Sequence, residues 1–244
     1  MATFEVPIQP DFSTERLLGS DFVEQVDGSS TVYLHPGNRV DSWSYRYAKR
    51  TLDLALGTSM LVAALIPGVL IAIAIAATSR GPIFYREDRV GRGGRLFRIW
   101  KFRSMCCERR TEARRRMGAG EQELLWRIYK SVGDARITRV GRVLRRWSLD
   151  ELPQLINVLR GEMSLIGPRP VIAAEVPLYG YMQHCYLAAI PGLSGMWQVS
   201  GRSNTAFPQR AKLDASYVQN WTLLADLKIL MLTIPAVLGR VGAR

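Results

Sequence analysis

Cysteine is scarce in this chain: there are three in 244 residues, and two of them, Cys106 and Cys107, are neighbours. An odd count with an adjacent pair argues against a disulfide-stapled secreted module and reads as reduced thiols in a cytoplasmic setting. No Cys/His grouping has metal-ligand spacing. Proline is limited to 12 residues against 48% hydrophobic ones, which excludes a collagenous or disordered chain and allows a buried core. Walker and Rossmann glycine spacings are missing, as are internal repeats and any signature of a nucleic-acid-binding fold. Basic side chains are rare in residues 1–45, which hold two (Arg16, Arg39) against seven acidic ones. That stretch, punctuated by Ser, Gly and Pro, reads as an acidic flexible tail.

What is present is cationic and apolar at once. The net charge is +12, yet mean hydropathy is zero. Residues 80–146 alone carry 20 basic and 7 acidic groups. Such a surface attracts polyanions: nucleic acid, anionic lipid or phosphorylated substrates.

The apolar residues narrow that choice. Leu54–Ser79 is a run of 26 uncharged residues, and a bilayer-spanning helix needs about 20. The run lies deep in the chain behind an acidic leader, so it is not read as a signal peptide. Pro67 and Gly68 sit near its middle, where proline removes a backbone donor and kinks or breaks a helix. Arg46, Lys49 and Arg50 precede the run; Arg80, Arg86, Arg89 and Arg92 follow it. Basic flanks favour the cytoplasmic side, and both flanks here are basic. Two topologies stand on these residues: one crossing, or a re-entrant helix broken at Ile66-Pro67. Trp43, Tyr45 and Tyr47 suit an interfacial aromatic belt. Near the C-terminus Leu223, Leu224, Leu227, Leu230, Met231 and Ile234 form a helical stripe, either an amphipathic helix on the interface or an ordinary core helix. Ile83–Val90 and Arg95–Arg103 are strand-prone runs joined by Gly91-Arg92-Gly93-Gly94, a hairpin with a basic loop. Residues 106–130 read as a charged, partly amphipathic helix.

Ser148-Leu149-Asp150-Glu151-Leu152-Pro153 is the strongest chemical signal, and it has two readings. Ser148 with Glu151 matches a capping box, a frequent structural device. Alternatively, adjacent carboxylates amid arginines form a phosphoryl-transfer site, in which an ionised Asp attacks phosphorus and Mg²⁺ offsets the repulsion. In Gly167-Pro168-Arg169-Pro170 two prolines stiffen the backbone around a guanidinium suited to phosphate oxygens. Strand alternation places Lys101 and Arg103 on one face. Gly192–Arg202, GLSGMWQVSGR, reads unaided as a loop.

Four segments, KRTLDLALG, GPIFYREDRVGRGGRLFRIWKFRSM, SLDELPQLINVLRGEMSLIGPRP and PGLSGMWQVSGR, resemble the bacterial sugar transferase family, the monotopic phosphoglycosyl transferases. The resemblance covers about residues 46–240. YVQNWTLLADLKILMLTIPAV is similar to the exopolysaccharide-initiating undecaprenyl-phosphate galactose phosphotransferases. The resemblance implies a mainly helical α+β fold: tail 1–45, a membrane re-entrant helix 46–80, and a cytoplasmic catalytic domain 81–244 with a small β-hairpin and an interfacial C-terminal amphipathic helix. It implies transfer of a sugar-1-phosphate, galactose first, from a UDP-sugar to undecaprenyl phosphate with Mg²⁺ and release of UMP. UDP-glucose or a UDP-N-acetylhexosamine are alternative donors, and a non-catalytic membrane-anchored anion-binding protein is the rival of another class. The expected roles are Asp150 as nucleophile, Glu151 beside it, both as metal ligands, and Arg169 as a phosphate contact. Lys101, Arg103, Arg146 and Arg202 are further candidate phosphate- or nucleotide-binding cations. Ile66 stands where the family usually has Ser before the membrane proline. The expected setting is the bacterial inner membrane, with downstream glycosyltransferases as partners, a homodimer left open and no nucleic acid.

Overall fold

Charged side chains stitch the apolar helix to the rest of the molecule at both ends. The computed structural model describes residues 38–106, 136–200 and 206–239. The expected tail up to residue 37, Cys107, most of the expected helix 106–130, and Arg202 lie outside the described residues. Helix α1, Trp43–Thr78, starts at Ser42, whose hydroxyl accepts from the Tyr45 amide. Its buried positions Tyr45, Lys49, Asp53 and Gly57 recur every four residues, one helical stripe. Val40 and Tyr45, in the stretch read as tail, are buried, so the folded body starts upstream of the expected boundary.

Most of α1 away from that stripe is bare. Val62, Leu65, Ile66, Val69, Leu70 and Ile73 are exposed, Ile66 by 75%. The helix is long and apolar enough to cross a membrane. Ile66 and Pro67 both have helical backbone, so the turn that the expected re-entry needs is not an interruption of the helix. Proline removes one amide donor, and the helical bonds on either side carry the segment through.

The two ends meet the same body. Lys49 donates to the Ile166 carbonyl (2.8 Å) and to Asp226 Oδ2 (2.6 Å). Arg50 donates to the Val158 and Leu159 carbonyls, both at 2.6 Å, and Asp53 accepts from Ser164 Oγ and the Leu165 amide. At the other end Arg103 donates to the Ser79 carbonyl (2.6 Å) and to Ser79 Oγ (2.9 Å). Lys49 and Arg50, expected as membrane-flanking charges, are therefore structural clasps.

After α1 come β1 (Phe84–Val90) and β2 (Leu96–Phe102), paired antiparallel with Tyr85 opposite Lys101 and Arg86 opposite Trp100. Gly93 and Gly94 in the connection have φ of 67° and 77°, a left-handed pair that only glycine adopts readily. Helix α2 (Arg139–Arg146) leads into a 3₁₀ segment, Leu149–Gln154, and then α3 (Leu155–Arg160). Strand β3 (Ser164–Ile166) pairs in parallel with β4 (Gly192–Ser194). Between them lie a 3₁₀ stretch, Ala173–Met182, and α4 (Gln183–Ala188). Helices α5 (Met196–Val199), α6 (Phe207–Gln219) and α7 (Leu223–Leu238) complete the described residues. On α7 the inward side carries Asp226 and Ile229, while Leu224, Met231 and Ile234 are exposed.

Candidate active site

The 3₁₀ segment holding the two carboxylates begins at Ser148, which sits at φ 56° and makes no side-chain capping bond. Its carbonyl accepts from the Glu151 amide at 3.2 Å, but the Glu151 carboxylate turns elsewhere. The capping-box reading is thus corrected: Ser148 is left-handed and its side chain makes no capping bond. Serine tolerates that conformation poorly, and such outliers concentrate at functional sites.

Glu151 faces β2 and the Gly167–Pro170 loop. Its Oε1 accepts from Lys101 Nζ at 3.0 Å and lies 3.8 Å from Arg169 Nη1. Burial alone would raise its pKa, but Lys101 and Arg169 outweigh that and hold Glu151 down at about 2. Asp150 goes the other way. Burial, reinforced by the charge of Glu151, raises its pKa, while Lys101 and Arg145 pull it down. No described side chain donates a hydrogen bond to it. The neighbours thus divide: Glu151 is a neutralised anchor, and Asp150 is a basic, enclosed carboxylate flanked by cations.

Arg89, Lys101, Glu151, Gln154, Arg169 and Leu193 line a narrow recess of about 10 Å³ beside Glu151. That is far below the roughly 300–1,000 Å³ of pockets that enclose a small molecule, so a larger ligand would meet these cations at its mouth. Arg89 donates to the Pro170 carbonyl (3.2 Å) and so holds the Arg169 loop against the hairpin. The glycine-rich segment explains itself here. The Gly167 amide donates to the Ser194 carbonyl (2.9 Å), and the Gly192 amide to the Pro168 carbonyl (2.8 Å). A Cβ on Gly195 would lie 2.1 Å from the Gly167 carbonyl oxygen, and one on Gly192 2.0 Å from the Gly167 amide nitrogen. Those glycines let β4 press against the loop that aims Arg169, whose guanidinium stands 5.5 Å over the Trp197 ring.

The structure thus brings Asp150, Glu151, Lys101 and Arg169 together and leaves two candidates aside. Arg103 follows the end of β2, so strand alternation no longer governs it. Its buried guanidinium is taken up by carbonyls at the end of α1 and by Pro82. Arg146 is exposed on the last turn of α2, whereas Arg145 is turned inward and bonds Ser104 Oγ at 2.9 Å. Arg89 and Gln154, which line the recess, and Arg145, whose charge acts on Asp150, join the expected residues at the site. Arg89 shares a hairpin face with Lys101, a relation readable once register is known. Asp150 and Glu151 are adjacent hard oxygen donors, and no group of three or more His, Cys, Asp or Glu exists among the described residues. That donor set fits Mg²⁺, which typically takes one or two carboxylates together with substrate phosphates.

The family model described as bacterial sugar transferase matches residues 44–240, a span from the second residue of α1 past the end of α7. The chain belongs to that family. It is 40% identical over 242 residues to the UDP-galactose-lipid carrier transferase of Erwinia amylovora, covering 98% of this chain and 50% of that protein. Exopolysaccharide production protein ExoY of Sinorhizobium fredii is 43% identical over 194 residues, covering 78% of this chain and 85% of ExoY. The UDP-glucose:undecaprenyl-phosphate glucose-1-phosphate transferase of Caulobacter vibrioides is 40% identical over 218 residues, covering 84% and 75%. The chain spans about half the length of the Erwinia relative. The carboxylate–cation cluster is the candidate catalytic centre of this family member.

Proposed function

We propose that the chain transfers a sugar-1-phosphate from a UDP-sugar to undecaprenyl phosphate through a covalent intermediate on Asp150. The observation that carries this is the division of labour between the carboxylates. Lys101 and Arg169 neutralise Glu151, while Asp150 beside it keeps a raised proton affinity and accepts from no described side chain. In the first half-reaction an Asp150 carboxylate oxygen attacks the phosphorus bearing the sugar. The bond from that phosphorus to the bridging oxygen breaks, and UMP leaves with the electron pair. In the second, an oxygen of the lipid phosphate attacks the same phosphorus and Asp150 leaves as a carboxylate. Arg169, Lys101 and Arg89 line the recess at whose mouth phosphate oxygens gather charge. Asp150 and Glu151 would hold Mg²⁺, which when bound neutralises charge between carboxylate and phosphate. Galactose is the proposed sugar, on the relative named for UDP-galactose; glucose is the alternative, on the Caulobacter relative.

Topology belongs to the same reading. The clasps at Lys49, Arg50 and Asp53 and the clasp of Arg103 on Ser79 fasten both ends of α1 to one folded body. A crossing helix would carry Ser79 to the far side of the bilayer, away from that body. This supports a helix that enters and returns on the cytoplasmic face of the inner membrane, with the exposed apolar side of α7 resting on the interface.

Incubating wild-type protein with UDP-galactose and no acceptor is expected to release UMP and leave a phosphosugar adduct on Asp150. Asp150→Asn forms none. Turnover by Asp150→Asn near the wild-type rate removes the nucleophile assignment. For topology, Arg46→Cys and Pro82→Cys in a background without native cysteines both label from the cytoplasm; labelling from opposite sides defeats re-entry.

A further inference from the structure

The side of the hairpin facing away from the carboxylates bears a feature that the donor chemistry leaves unused. Pro82, Ile83, Phe84, Tyr85, Arg86 and Trp100 line an open groove of about 580 Å³. The Arg86 guanidinium stacks 3.7 Å above the Trp100 ring, and that of Arg160 stands 5.9 Å from the same ring. Both arginines are exposed, and among the described residues neither has a carboxylate within ion-pair distance. The neighbouring Asp88 and Glu87 are engaged by Arg98 and Arg89. Two cations held over an aromatic ring without counter-ions form an anion seat.

The floor of the groove continues into the apolar helix. Phe84 stacks on Phe102 at 5.4 Å, and a Cβ on Gly68 of α1 would lie 3.8 Å from the Phe102 ring. Phe102 and Ile75 form one apolar cluster, against which Ile71, Ala72 and Ile83 pack. Leu149 and Leu152, which bracket the carboxylate pair, pack against the same cluster. The apolar wall of the groove at Ile83 and Phe84 thus joins the cluster that α1 enters through Ile71, Ala72 and Ile75, with two guanidiniums at the rim and the catalytic segment packed behind it. A ligand matching this surface has a long apolar chain ending in a phosphate.

We infer that this groove docks the acceptor lipid, its chain along α1 and its phosphate at Arg86 and Arg160, before the second half-reaction. The inference rests on the proposed transfer to a lipid phosphate and adds where that lipid is received. It separates the substrates by hairpin face: the donor meets Arg89 and Lys101 on one, and the acceptor docks at Arg86 and Trp100 on the other. Charge complementarity and continuity with α1 favour a lipid monophosphate over a soluble anion, for which the apolar floor would serve no purpose.

The test uses full-length protein in phosphatidylcholine nanodiscs. The double variant Arg86→Ala/Arg160→Ala is expected to raise the KM for undecaprenyl phosphate about tenfold or more, the scale of a lost charged contact. UMP release without acceptor stays within about twofold, since neither residue touches the donor recess. Arg86→Lys/Arg160→Lys recovers part of the loss. An unchanged acceptor KM, or an equal loss in the donor half-reaction, overturns the inference. So does an effect confined to phosphatidylglycerol nanodiscs, which would make the groove a seat for bulk anionic phospholipid. Retention of undecaprenyl phosphate by the purified proteins, read by native mass spectrometry, gives an arm independent of turnover. Weaker retention by the double variant sustains the docking site even if wild type fails to release UMP. Equal retention removes the site even if the transferase reaction is present.

Discussion

Lys49 and Asp226, 177 residues apart, meet at 2.6 Å with side chains 2% and 0% exposed. The ammonium's three hydrogens find three acceptors: Asp226 Oδ2, the Ile166 carbonyl and Tyr217 Oη at 3.3 Å. Asp226 also accepts from Tyr217 Oη at 2.7 Å and Trp221 Nε1 at 3.0 Å. Lys49→Met keeps the stem's volume and removes the charge, leaving a carboxylate with no opposite charge in a dry site. Breaking one partner of a buried pair costs about 3–5 kcal/mol, mostly the penalty on the group left behind. For a chain of this size that corresponds to a drop in Tm of about 6–20 °C. Asp226→Asn should cost a comparable amount by stranding the ammonium. Because each variant strands the same pair, their effects should not add: Lys49→Met/Asp226→Asn is expected to fall no lower than the worse single variant. The assay is thermal unfolding of the detergent-solubilised protein by tryptophan fluorescence, with Trp221 in the site as reporter. A shift under about 2 °C for Lys49→Met, or fully additive losses, refutes the claim that this pair fastens α1 to the body.

Other expectations follow from the same geometry. Because the pKa of Asp150 is raised and the reaction needs it ionised, UMP release should fall on acidification at a pH above the ordinary carboxylate value of roughly 3.9. Glu151→Gln removes one cause of that shift, so the acid limb of whatever activity remains moves to lower pH; a limb that moves up contradicts the assignment. Gly195→Ala collides with the Gly167 carbonyl and displaces Arg169, so the donor half-reaction should slow on the order of 10–100-fold while the protein stays membrane-bound. Wild-type rates from that variant would show that the loop does not depend on the close approach. Arg103→Ala strands the Ser79 and Pro82 carbonyls, a loss of about 2–3 kcal/mol. Hydrogen exchange at residues 76–82 should speed up, and unchanged protection there would exclude the clasp.

The hairpin was legible in the sequence because alternation and a glycine-rich connection are local. Its register was not. A one-residue shift exchanges the faces, and that decides whether Arg89 or Arg86 joins Lys101. The choice between Arg145 and Arg146 is one of helix phase, which follows from the burial of Gly141 and Leu144 on the side that carries Arg145. Arg103 was misplaced because alternation was extended one residue past the strand. Ser148 and Glu151 matched a capping box in spacing, yet the left-handed backbone at Ser148 belongs to the path between α2 and α3, not to the six letters around it.

Asp226 shows the same boundary most sharply. In the sequence it interrupts an apolar stretch near the C-terminus; in the fold it receives Lys49 from the far end of the chain. The apolar helix, the cationic body, the hairpin and the carboxylate pair are each encoded in a run or spacing of neighbouring residues. Which cations meet Glu151, which leave Asp150 basic and which hold α1 at both ends is settled by the packing of the folded chain. Burial and ion pairing act between groups close in space, and the separation of those groups along the chain carries no local pattern.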